Sequence, residues 1–533
     1  MRLKGILNPR LDRPLPIWMI FPVIFMVLYA SHFTLLRLPY YWDEAGYYIP
    51  AAWDFFRTGS LIPTTTLTNA HPPLPSIYLA LWWKFCGYYP EVTREAVLMV
   101  ATLALLGVWR LAARLISVPA VAFWTVFLTG LYPIWFAQSS LAHADIFAAA
   151  CSIWGMAYAL PNRGRNAWAA ALWFSAAALS KETAIAIPLT LAAVNIGEAI
   201  WRGGPARPRL LKEAAWLLSC VVPLAGWYAY HYAKTGFFFG NPEYLRYNAE
   251  ATLTPLRIVA AFGHRILHLT AHMNLFVPVL MACAAMLLAP RPDSEGHERA
   301  SLGRMALLRM FSLLLVDAVL FSVLGGALLT RYLLPMYPLV LLAAVSTLYR
   351  RVPYWHGLAV VSATAFFVGL FINPPYGFAP EDNLAYARVI RMHQAGIAEL
   401  RKRYPGATVL TAWPMSDELK KPELGYVKQP WDVVEIDDFS PTQIDRAAQE
   451  EADYSAALVF STKYDPPKPL FNLDGGVLEE RYFGLHHDMP PDRIANQLDG
   501  SLEWRRDDMG MWVGLIRVNH PVEAQAVKPA LSF

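Results

Sequence analysis

Charge is scarce in this chain. Only 16% of its 533 residues are Asp, Glu, Lys or Arg, against about 25% in a soluble domain, which excludes an ordinary water-soluble fold for most of the length. Cysteine is scarce too. Cys86, Cys151, Cys220 and Cys283 are scattered without a C-x-x-C pair, so they read as small core residues rather than as a disulfide or metal framework. There is no phosphate-binding glycine loop, no dinucleotide fingerprint, no internal repeat and no low-complexity tract. The net charge of +4 is too small to indicate a nucleic-acid partner. Apolar surface is what the chain has in excess: 56% of residues are hydrophobic and 14% aromatic. Aromatic rings gather at membrane–water interfaces, and they also make stacking platforms for sugars, so composition alone leaves both uses open.

After a basic start with Arg2, Lys4, Arg10 and Arg13, the segment Pro16 to Leu36 runs 21 residues without a charge, enough for one membrane crossing and too long for a signal-peptide core. Further apolar runs cover approximately Ala96–Ile116, Val118–Gln138, Ser139–Leu160, Ala167–Ser180, Thr183–Ile200, Ala214–Ala233, His272–Pro290, Met310–Thr330, Tyr332–Tyr349 and Val352–Asn373. The expectation is therefore about eleven crossings. With the N-terminus cytoplasmic, Arg110 and Arg114, Arg163 and Arg165, Arg202 to Lys212, Arg291 to Arg304, and Arg350 and Arg351 all fall on the inner side, as the positive-inside rule requires. From about Pro374 charges become frequent and β-like runs such as Ala407–Thr411, Ala457–Phe460 and Trp512–Ile516 alternate with polar stretches. The expected organisation is a mostly α polytopic membrane domain over 1–373 and an extracytoplasmic α/β domain over 374–533, in the cell membrane.

The stretch Tyr40-Tyr41-Trp42-Asp43-Glu44-Ala45-Gly46-Tyr47-Tyr48 opens a polar, aromatic loop from Leu38 to Arg94. A loop that long is costly unless it builds something. Within it, Ala45–Phe56 and Ser76–Phe85 read as surface-lying amphipathic helices. A hydrated acidic pair at a helix exit is the plain reading of Asp43-Glu44, but a carboxylate in a partly apolar aromatic bed also suits general-base work. His143-Ala144-Asp145 lies a turn or two into an apolar run, about 9 Å below Ser139, where ionisable groups are expensive and are functional candidates; the other reading of Asp145 is structural, pairing with Lys181 for instance. Lys181-Glu182 and Arg331-Tyr332 sit at run ends on the side that carries Asp43. Each cation alone reads as an interface anchor; together they make a seat for a lipid phosphate. His71, in His-Pro-Pro-Leu, is either structural or substrate-binding, and His231, His264, His268 and His272 have no recognised ligand spacing, so no metal is assigned. Asp317 reads as a packing residue about 20 Å from Arg331 along a helix.

In order and sidedness, the Asp-Glu pair after the first run, the His-Pro-Pro-Leu, the Asp early in the fourth run, the Lys-Glu turn and Arg331-Tyr332-Leu333-Leu334-Pro335 resemble the GT-C superfamily. The nearest group in pattern is that of protein O-mannosyltransferases, aminoarabinose transferases and dolichyl-phosphate-mannose-type transferases. The resemblance covers about residues 15 to 350 and continues weakly in Val409-Leu410-Thr411-Ala412-Trp413-Pro414. It implies an inverting glycosyltransferase using a polyprenyl-phosphate-linked sugar. Asp43 would be the base, Glu44 and Asp145 would assist or order the site, and Lys181, Arg331 and Tyr332 would hold the carrier phosphate. Trp42, Tyr47, His71, His143 and Glu182 would line the substrate. Some members of that group contain a divalent metal and others do not, so the cofactor stays open. The acceptor, whether lipid, glycan or protein, is not named by any motif. The rival readings are a flippase for lipid-linked sugars, which would favour broken mid-membrane helices and pseudo-symmetry, and a non-catalytic envelope assembly protein.

Overall fold

The computed structural model describes residues 17–66, 68, 71–161, 166–242, 245–246, 249–293, 296–449, 454–466 and 488–519. The N-terminal basic residues, Arg163 and Arg165, and Asn69-Ala70 just before His71 lie outside the described residues.

Helix α1 (Ile17–His32) leads into a π-helical turn (Glu44–Tyr48) that continues as α2 (Ile49–Thr58), followed by α3 (Leu74–Cys86). The two expected surface helices are these, shifted by a few residues. Pro50 in the first turn of α2 and Gly59 in the left-handed region just past its end (φ 73) set its limits. Next come α4 (Pro90–Ile116), α5 (Pro119–Leu131), α6 (Pro133–Gln138), α7 (Ala144–Ala159), α8 (Ala167–Ala178), α9 (Ala186–Arg202), α10 (Arg207–Leu218) and α11 (Val221–Thr235). They are followed by α12 (Pro255–Thr270), α13 (Phe276–Ala285), α14 (Arg304–Val323), α15 (Tyr337–Arg351) and α16 (Trp355–Phe371). The loop expected to reach Arg94 thus stops at Pro90, and Arg94 is inside a helix.

Among the described residues, four helical stretches are long and apolar enough to cross a bilayer: Pro90–Ile116, Glu182–Arg202, Gly204–Thr235 and Arg304–Val323. A fifth is the pair Pro255–Asn274 and Phe276–Ala285 if counted as one span, bent by 99° where Met273 (φ 46) and Asn274 (φ 66) turn left-handed. Other apolar helices are only 10–17 residues long. Helix length therefore establishes fewer crossings than the apolar runs led us to expect, because an apolar run is not a continuous helix. Val118–Gln138 is cut at Tyr132-Pro133, where proline lacks the N–H that would continue the ladder. Ser139–Leu160 becomes helical only at Ala144. Large side chains such as Val23, Met26, Phe311 and Phe367 remain more than half exposed on these helices, as lipid-facing surface would be. Of the four cysteines only Cys220 is buried, and Cys86 and Cys283 are exposed, so the core assignment fails for those two.

Beyond α16 the chain forms α17 (Ala385–Arg403), β1 (Val409–Ala412), α18 (Met415–Lys420), β2 (Val433–Ile436), α19 (Pro441–Gln449), β3 (Ala456–Phe460), α20 (Pro491–Gln497), β4 (Gly500–Asp508) and β5 (Met511–Val518). The strands make one mixed sheet, ordered β2-β1-β3-β5-β4. β1 is parallel to both β2 and β3, and β5 is antiparallel to β3 and β4. This region is docked on the acidic loop by hydrogen bonds. Tyr426 Oη donates to the Tyr40 carbonyl at 3.0 Å, Tyr88 Oη donates to the Glu423 carbonyl at 2.7 Å, and the Tyr40 N–H reaches the Leu424 carbonyl at 3.3 Å.

Helices α7 and α8 pack so closely that a Cβ on Gly155 would lie 2.5 Å from Phe174 Cε1. Gly155→Ala should therefore cost about 1–3 kcal/mol through overpacking, read as a lower melting temperature of the detergent-solubilised protein. An unchanged melting temperature would contradict this packing.

Candidate active site

The acidic loop turns sharply just before its candidate base. Trp42 has φ 48, a left-handed conformation that is uncommon for a bulky residue and concentrates backbone strain there. The turn sends the two neighbouring carboxylates in opposite directions. Asp43 faces a large cavity of about 2910 Å³, whereas Glu44 is fully buried and does not line it.

Glu44 is held by Arg94, whose Nη1 and Nη2 donate to the two carboxylate oxygens at 2.7 and 3.0 Å. Its oxygens also accept the backbone N–H groups of Ala142 (2.5 Å) and Tyr41 (2.9 Å). Arg94 further donates to the carbonyls of Ser140 (2.6 Å) and Pro39 (2.9 Å). A carboxylate so fully bonded is poorly placed for chemistry; of the two duties implied for Glu44, assisting or ordering, the geometry favours ordering.

Asp43 meets Arg331, whose Nη2 donates to Asp43 Oδ2. The same guanidinium donates through Nη1 to both Glu381 oxygens at 2.5 and 2.6 Å, and its Nε lies 3.3 Å from Asp145 Oδ2. Three carboxylates from three distant parts of the chain therefore share one buried cation. A second cation, Lys181, donates from Nζ to Asp145 Oδ1 at 2.5 Å and sits 3.9 Å above the Tyr332 ring. Asp145 lies six residues into its run but in the first turn of α7, because the helix starts only at Ala144, and there the helix N-terminus favours a negative charge.

The remaining expected residues surround this cluster. Trp42, Tyr47, Tyr48, His71, Lys181, Glu182, Arg331 and Tyr332 line the same cavity. His71 Nδ1 is 2.8 Å from Glu182 Oε2, and its ring stacks on Tyr48. His143 is buried behind the cavity wall, with Nδ1 2.8 Å from Gln138 Oε1 and Nε2 3.9 Å from Glu381. Asp317 does not lie remote from Arg331. Both border one small void with Asp145 and Lys181, because the chain leaves α14 at Val323 and folds back instead of continuing as a helix.

Glu381 and Asp382 are the residues sequence reasoning missed. They follow the last apolar helix at Pro380, much as Asp43-Glu44 follows the first, and that parallel was the available signal. Asp382 takes a hydrogen bond from Thr330 Oγ1 and lies 2.8 Å from His272 Nε2. Arg94 was passed over as the end of a loop. Trp413, the residue after β1, packs so tightly on Gly46 that a Cβ there would be 2.7 Å from its ring, and it lies edge-on to Trp42 at 5.2 Å. Among the described residues no group of three or more His, Cys, Asp or Glu is placed to hold a metal ion.

Acids and cations gather at one end of a bundle of apolar helices, with a small mixed sheet over them, and this architecture is shared with solved structures. In particular, the chain superposes on ArnT, an aminoarabinose transferase, from Cupriavidus metallidurans. Its apo state matches with a TM-score of 0.51 and 15% identity over 93% of this chain and 97% of that one. Its complex with undecaprenyl phosphate matches with a TM-score of 0.52 and 16% identity over the same shares. At such identity the likeness is one of fold. No protein-family model and no curated protein matches the sequence.

Arg94→Met strands the buried Glu44 carboxylate, which should cost about 3–5 kcal/mol; adding Glu44→Gln should restore part of the melting temperature, and a single variant as stable as the parent would refute the ordering role. Burial, with Asp43, Asp382 and Asp145 nearby, outweighs Arg331 and pushes Glu381 up from 4.5 to about 8. A folded-state value above the unfolded one means stability that is fully present below about pH 4.5 and lost as pH rises through 8. Melting temperature should accordingly decline over that window and decline less in Glu381→Gln; identical profiles would show that Glu381 is not the titrating group.

Proposed function

We propose that this protein transfers a sugar from a polyprenyl-phosphate carrier to an acceptor hydroxyl outside the cytoplasmic face of the membrane, with inversion, and with Asp43 as general base. The observation that carries the reading is the meeting of Asp43, Lys181 and Arg331, far apart in sequence, at one cavity. That cavity is also lined by apolar side chains of the candidate spans, among them Leu189, Leu267 and Leu320, so a polyprenyl tail can stay among apolar groups while its head reaches the charges. The matching ArnT structure that holds undecaprenyl phosphate supports a carrier of that class. The proposal includes the topology read from sequence: about eleven crossings, the N-terminus inside, and the sheet-bearing region outside.

The carrier phosphate brings its own negative charge to Arg331 and Lys181 and competes with Asp43 for the guanidinium. Asp43, released from Arg331, accepts the proton of the acceptor hydroxyl. The acceptor oxygen bonds to the anomeric carbon as the bond from that carbon to the phosphate oxygen breaks. The electron pair leaves on the carrier phosphate, where Lys181 and Arg331 stabilise it as charge develops. The leaving group departs as an anion, so no acid is required.

Asp43→Asn should reduce transfer by roughly 10²–10⁴-fold while undecaprenyl phosphate still binds. Lys181→Ala should weaken carrier binding by about 10–100-fold, the worth of one charge-assisted hydrogen bond. Both are measured on purified protein with carrier-binding and sugar-transfer assays. Full transfer by Asp43→Asn would eliminate the base assignment.

A further inference from the structure

The sheet-bearing region does more than cap the bundle. The three parallel strands β2, β1 and β3 all present their carboxyl ends to the cavity: Trp413 follows β1, Asp437 and Asp438 follow β2, and the segment 461–465 follows β3. In open α/β sheets this edge is where ligands bind. The antiparallel β5 brings Trp512 to the same edge through its pairing with β3.

The wall so formed differs in charge from the wall built by the helices. The helix wall and its loops carry Lys181, Arg331 and Arg246 with four histidines, against the acids Asp43 and Glu182. Beyond Glu381 and Asp382, the sheet wall carries Asp437, Asp438, Asp465, Asp488 and Asp507 against a single cation, Lys463. Lys463 is half-buried within the field of Asp438 and Asp488, and Asp488 is fixed by the N–H and hydroxyl of Thr462 at 2.6 and 2.9 Å. The rings of Trp413, Tyr464 and Trp512 lie along the same wall.

We propose that this strand-end wall is the acceptor subsite and that the acceptor is a glycan carrying no net negative charge. Carboxylates accept hydrogen bonds from sugar hydroxyls, and aromatic rings take the C–H faces of pyranoses, the mix of apolar lining and few convergent polar groups that small-ligand sites use. An anionic lipid headgroup would meet like charge there. Trp413 joins the two walls, touching the loop that carries Asp43, so a hydroxyl held on the sheet wall is delivered toward the base.

This inference rests on the transferase reading, and the test separates the two. A deletion strain is complemented with the parent protein, Asp438→Asn/Asp488→Asn, or Asp438→Lys. Labelled sugar is then followed into the lipid-extractable and the delipidated glycan fractions, and undecaprenyl phosphate binding is measured on each purified full-length protein. The expected result is label in the delipidated glycan fraction with the parent, at least tenfold less with the double variant, and unchanged carrier binding. Should the double variant lose carrier binding through misfolding, Asp438→Lys, at a half-exposed loop position, decides in its place. Label in the lipid fraction or in protein, or undiminished transfer by a variant that binds carrier, overturns the acceptor proposal and leaves the transferase reading standing. Absence of both sugar transfer and carrier binding with the parent protein overturns the transferase reading itself.

Discussion

The structure depends on one buried guanidinium. Arg331 draws together Asp43 from the first loop, Asp145 from the start of α7 and Glu381 from the segment after α16. A buried charge is tolerated only when paired, so these segments cannot drift apart without stranding the arginine. Apolar helix faces supply little register of their own where the surrounding solvent is equally apolar. At this end of the bundle, position is set by electrostatics, and the helices serve to deliver the charges.

The same constraint explains the division of labour in the acidic loop. Two adjacent carboxylates have opposite environments: Glu44 is buried, bidentate on Arg94 and bonded to two backbone N–H groups, while Asp43 keeps contact with the cavity. Environment assigns such pairs their roles. Glu44 locks the loop to α4 and to the stretch just before α7, and that lock fixes where Asp43 points. One of the carboxyls around Arg331, Glu381, is pushed toward the neutral form, which lessens the negative charge crowded on that guanidinium.

The cavity's two walls differ in charge: Lys181, Arg331 and Arg246 stand on the helix side beside Asp43 and Glu182, while five aspartates face a single lysine on the sheet side, and on the proposed reading that difference sorts carrier from acceptor. The sheet-bearing region thereby becomes part of the chemistry: Trp413 and Glu381 belong to it in sequence and to the site in space. Its apolar strands β1, β3 and β5 were legible as β-like runs, whereas β2 and β4 were not, because they are half-buried edge strands with little apolar alternation.

The sequence by itself determined the class of solvent, through its missing charge and its apolar runs, and it placed Asp43-Glu44 in the loop after the first run and Lys181 and Arg331 at run ends. Hydropathy is a local property, so it can do this much. Tertiary structure alone decided which acids share Arg331, that Glu44 is bound to Arg94, that Asp317 and Arg331 border one void, and where apolar runs break into short helices. Those outcomes depend on contacts between residues hundreds of positions apart, such as Asp43 with Arg331, and on chain reversals at single residues such as Met273. No local pattern of hydrophobicity encodes either.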